Sequence, residues 1–139
     1  MYLINRFTNL QIFFLSKASN LRLSFLFLPE DFKKLFTSDY QPDEIKIYCG
    51  HEYTLKNLQF AQQVEPNNIH IKEKLFAAQI LIENNQPTLP STLAVEKMIN
   101  PFLRCQDKSV IQSAERYADK QLDRAEDVFQ CLREWKNNF

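Results

Sequence analysis

The sequence predicts a mainly α chain with a short β portion. Three observations carry this. Apolar residues recur at helical spacing through most of residues 54–139, as with Ile71, Leu75, Ala78 and Ile82 at i, i+4, i+7 and i+11. Strict two-residue alternation occurs only briefly, where Ile45, Ile47 and Cys49 alternate with Lys46 and Tyr48. Cap residues and prolines then divide the rest into helix-length pieces.

Taken in order, residues 9–15 and 21–28 are rich in Leu, Phe and Ile, and runs this short fit buried strand or buried helix equally. Residues 30–38 suggest a short helix through Phe32, Leu35 and Phe36, and Gln41-Pro42-Asp43-Glu44 is a turn. Residues 45–49 are the best strand. Residues 54–64 form a helix that starts at a Thr54 cap and stops before Pro66, with Leu55, Leu58, Ala61 and Val64 inward. The clearest helix spans 68–84. The segment Asn84–Thr92 breaks it and leads to a short helix near 92–99, capped by Ser91 or Thr92 and ended by Asn100-Pro101. Helices over 107–118 and 121–136 complete the chain. A lone strand cannot satisfy its own backbone groups, so 45–49 needs partner strands for which this sequence offers few candidates.

The 139 residues suffice for one domain, since domains most often run to about 100–150 residues. Seventeen basic residues balance seventeen acidic ones, which leaves no basic footprint for nucleic acid. The balance is uneven along the chain. Residues 1–29 hold Arg6, Lys17 and Arg22 and no acid, so 30–139 holds 14 basic against 17 acidic residues. No apolar run reaches the roughly 18 residues of a membrane span. Three cysteines without a CxxC pair suit a reducing compartment better than a disulfide framework. A cytoplasmic location is expected, with a mitochondrial transit segment at 1–29 as the alternative.

The stretch Tyr48-Cys49-Gly50-His51-Glu52-Tyr53-Thr54 contains the only glycine and one of the two histidines of the chain. Glycine lets a strand turn sharply into a helix, and α/β sites gather where strands end. His51 is therefore a candidate metal ligand or acid–base group with Tyr53 beside it. The alternative is a histidine hydrogen-bonded in a turn, and spacing leaves both open. His70 reads as solvent-facing, Cys49 as a small strand residue, and Cys105 and Cys131 as packing residues.

In the last helix, Ala125, Val128, Phe129, Leu132, Trp135 and Phe139 form one apolar stripe. Lys136 lies about 20° from Ala125 at 100° per residue, inside that stripe, with Arg133 on its flank. A charge there either snorkels off the helix end or meets a ligand-borne anion. Two cations at i, i+3 repel unless an anion lies between them.

These residues bring a resemblance into view. Residues 47–68 around "CGHEYT" and "VEP", "PTLPSTLAVEKMINPFLR" at 87–104, and "LREWKNNF" at 132–139 resemble the C-terminal part of glyoxalase II, hydroxyacylglutathione hydrolase. The resemblance implies the C-terminal strand and helical domain of a metallo-β-lactamase-type αββα fold. It divides the chain into an unmatched segment 1–29, a remnant of the metallo-β-lactamase-like domain at 30–53, and a helical domain at 54–139. It implies hydrolysis of S-lactoylglutathione to glutathione and lactate, which detoxifies methylglyoxal, by a hydroxide held between two zinc ions, or iron in some members. It makes His51 a metal ligand, Tyr53 a glutathione contact, and Arg133 and Lys136 the pair that binds the glycine carboxylate.

The sequence also departs from that family. The ligand block T-H-x-H-x-D-H is absent, and two histidines cannot build a dinuclear site. Lowering the pKa of bound water takes about three or four protein ligands. The expectation is a chain with little or no hydrolase activity alone and no stable zinc binding, for which a separate N-terminal half is a candidate partner. The alternatives are a non-catalytic glutathione-binding module and a helical interaction module.

Overall fold

A computed structural model describes residues 46–48 and 52–139. The readings for residues 1–45, and those for Cys49, Gly50 and His51, lie outside the described residues. Within them the chain runs β1 (Lys46–Ile47), α1 (Thr54–Val64), α2 (Ile69–Glu83), β2 (Ser91–Thr92), α3 (Leu93–Ile99), a 3-10 turn (Pro101–Leu103), α4 (Lys108–Ala118) and α5 (Ala125–Asn137). The mainly α class with a short β portion holds.

The partner for the first strand is two residues long. β1 pairs antiparallel with β2, Lys46 opposite Thr92 and Ile47 opposite Ser91. Ser91-Thr92 reads locally as a helix cap, and Thr92 does both jobs. Its backbone pairs with β1 while its hydroxyl accepts from Val95 N at 3.3 Å. The preceding Leu89-Pro90 peptide is cis.

The α1 cap differs from expectation. Tyr53 occupies the N-cap without a side-chain capping bond, and Thr54 is already helical. The Thr54 hydroxyl is engaged elsewhere: it and the buried Thr88 hydroxyl both donate to Glu52 Oε1, the Thr54 bond at 3.1 Å. That contact ties the start of α1 to the loop before β2. Asn68 caps α2, accepting from His70 N at 3.0 Å, and its amide donates to Met98 O at 3.0 Å.

α1 has two working faces. Phe60 and Val64, four residues apart, enter a core with Phe102, Val110, Val128 and Leu132. Leu58 and Ala61, three apart, enter another with Ile71, Ala78 and Ile99. The expected inward set of α2 holds at Ile71 and Ala78, with Leu75 partly buried, but Ile82 is 39% exposed. α2 has 15 residues against 11 in α1, so about one turn outruns its neighbour. Ile69, Phe76 and Ile80 also face outward, which makes α2 apolar nearly all round. His70 is exposed, as expected.

α5 begins at Ala125 rather than near 121. Asp119 turns into the left-handed region (φ 51°) to end α4, and Leu122 then tucks into the core while its N–H donates to Glu115 Oε1 at 3.1 Å. Those residues cannot also be helical. No helix among the described residues is long and apolar enough to cross a membrane.

A buried polar hub joins α1 to the later elements. Glu65, 6% exposed, accepts from Arg104 Nη1 at 2.7 Å and Ser109 Oγ at 2.7 Å. Arg104 also bonds Asp107 Oδ2 at 2.6 Å and Met98 O at 2.7 Å.

Candidate functional site

The last two turns of α5 place Arg133 and Lys136 against aromatic faces. Lys136 Nζ lies 4.7 Å from the centroid of Phe60, and Arg133 Cζ lies 5.9 Å from that of Phe102. The two rings stack on each other at 6.0 Å with 22° between their planes. Residue 136 thus belongs to the inward stripe, as the rotation about the helix axis predicts, and its cation sits on an apolar floor.

Lys136 lines a half-open hollow. Thr54 and Asn57 of α1, Thr88 and Ser91 before and in β2, Glu96 of α3, and Phe60 and Phe102 also border it. Tyr53, 41% exposed, immediately precedes Thr54. Arg133 stands over Phe102. The structure therefore brings Lys136 into the hollow, with Tyr53 one residue and Arg133 one ring away from its wall. The fourth candidate, His51, lies outside the described residues, one residue before Glu52.

The electrostatics are those of a site short of negative charge. Burial, reinforced by the Arg133 charge, holds Lys136 down to about 8. Burial also lowers Arg133. Arg133 Nε donates to Asn137 Oδ1 at 3.2 Å, while its Nη1 is buried without a hydrogen-bond partner. Among the described residues no carboxylate lies within ion-pair distance of either cation. Glu96, in the same hollow, is not a ready counter-ion: burial raises its carboxyl, against the bond from Asn100 Nδ2 at 3.1 Å and the charge of Lys74. An incoming anion would answer both deficits, pairing with Lys136 and accepting from Arg133.

Among the described residues no three His, Cys, Asp or Glu side chains converge to hold a metal ion. The described residues thus do not by themselves fit a metal centre. Sequence reasoning missed Phe60, Phe102, Thr88 and Glu96. Their lining role depends on contacts between segments far apart in the chain, for which no local pattern exists.

Comparison with known proteins shows the family. The family described as hydroxyacylglutathione hydrolase C-terminus matches residues 52–139. A hydroxyacylglutathione hydrolase of Nitrosomonas europaea is 51% identical over 98 residues, covering 70% of this chain and 37% of that protein. One from Aeromonas salmonicida is 49% identical over 98 residues, 70% of this chain and 39% of the relative. One from Idiomarina loihiensis is 43% identical over 111 residues, 79% of this chain and 44% of the relative. The chain thus spans about two-fifths of the length of these curated relatives.

Proposed function

Because the chain belongs to the hydroxyacylglutathione hydrolase C-terminus family, we propose that it forms the glutathione-holding wall of a hydroxyacylglutathione hydrolase site. Lys136 and Arg133 grip the glycine carboxylate of S-lactoylglutathione or a related thioester, and Tyr53 contacts the peptide. His51 is the one metal ligand this sequence would offer to a two-metal centre of zinc or iron. Such a centre would supply the hydrolytic chemistry. The residues described here bind and orient the glutathione portion.

The observation that carries this reading is the pair of half-buried cations without an acidic partner among the described residues, one of them bordering an open hollow. With two histidines in 139 residues, the chain by itself binds glutathione conjugates but turns them over little or not at all. A second reading, a helical interaction module, draws on the outward apolar stripe Ile69, Phe76 and Ile80 of α2.

Calorimetry with S-methylglutathione tests the proposal. Lys136→Ala is expected to weaken binding about 10- to 100-fold, the loss of one charge-assisted contact in a partly dry site. The pH dependence has a definite sign. The protonated amine holds the anion, so affinity is full below pH 8 and falls as pH rises through about 8. The other charged groups at the site are Arg133 on the same helix, with Lys74 and Glu96 across the hollow. Identical titrations for wild type and Lys136→Ala would refute the proposal and favour the interaction module.

A further inference from the structure

The stacked pair beneath the two cations has a role beyond filling the core. We infer that Phe60 and Phe102 are positioning residues, an aromatic floor that holds Lys136 and Arg133 at a fixed spacing for an incoming carboxylate. The inference rests on the proposed function only for the identity of that anion.

The floor is over-determined. Phe60 is 1% exposed and Phe102 3%, so neither ring is free to turn aside. Trp135 and Phe139 meet Phe60 edge-on at 5.7 and 5.6 Å, and Phe129 meets Phe102 edge-on at 5.4 Å. Five rings from α1, the 3-10 turn and the α5 region thus fix the two planes. An aromatic face attracts a cation through its quadrupole, most strongly where water is excluded. Each ring therefore stabilises one charge that burial disfavours, without neutralising it. A carboxylate partner in the same place would cancel the charge and close the site to an anion; a ring leaves the full charge available. Stacking one ring on the other sets the distance between the cations, which an aliphatic pair of similar bulk would leave to chance.

The test separates ring electronics from packing. Phe60 is replaced site-specifically by 3,4,5-trifluorophenylalanine, which keeps the shape and drains the ring face, and in parallel by Phe60→Leu. The Lys136 amine is titrated by NMR in the full chain, and S-methylglutathione binding is measured by calorimetry. In the fluorinated protein the lysine midpoint is expected to fall by about half a unit and affinity by about two- to five-fold. Phe60→Leu should move both in the same direction. An unchanged midpoint in the fluorinated protein overturns the inference. So does a rise in Phe60→Leu, since that is what admitting water alone would produce. If wild type and Lys136→Ala bind S-methylglutathione alike while the midpoint still falls on fluorination, the floor stands and the ligand assignment fails.

Discussion

Arg104→Ala is expected to destabilise the described domain by about 3–5 kcal/mol, measured as a lower urea midpoint at pH 7. The cost comes mainly from what is left behind. Glu65 has a side chain 5% exposed, and Arg104 is its only ion-pair partner among the described residues. Removing the guanidinium leaves a buried carboxylate with the Ser109 hydroxyl at 2.7 Å and the Asn68 amide at 3.4 Å. The reciprocal change is milder. Glu65→Ala leaves Arg104, which is more exposed at 18%, still bonded to Asp107 and the Met98 carbonyl. The order of the two variants is therefore part of the expectation. A loss below about 1 kcal/mol for Arg104→Ala would place Glu65 among exposed ion pairs and contradict its burial.

Leu132→Ala is expected to cost about 2–5 kcal/mol, the range for deleting a buried leucine side chain. Leu132 is fully buried in the core that α5 shares with α1 and α4. The cavity would open directly beneath the turn that bears Arg133 and Lys136. Thermal unfolding should shift down by about 10 °C or more for a domain of this size. Below the transition, the variant should still bind S-methylglutathione more tightly than Lys136→Ala, because the cation itself is intact. Binding as weak as that of Lys136→Ala would mean that the seating of α5 matters as much as its charge.

Much of this architecture is legible in the amino-acid order, and the parts that are not share a physical cause. The helices follow from apolar periodicity and from breakers such as Pro66, Pro87 and Pro101. The inward direction of Lys136 follows from rotation about the helix axis. The Thr54 cap misleads because its hydroxyl donates instead to Glu52, two residues before it. The β1 partner is hidden because two residues leave no alternation to detect. Phe60 falls off the Leu58–Ala61 stripe and looks misplaced until the second core is known. Glu65 meets Arg104 and Ser109 across 39 and 44 residues, beyond any local pattern. His51, the residue on which the motif turns, lies outside the described residues.

The double-faced α1 has one more consequence. A helix that seals two cores at once makes neither core independent: melting the α4–α5 side strips Phe60 and Val64 of their neighbours, and melting the α2–α3 side does the same to Leu58 and Ala61. Residues 54–137 should therefore behave as one cooperative unit, coming apart in a single step, so that any damage near the cations is felt as far away as Ile71.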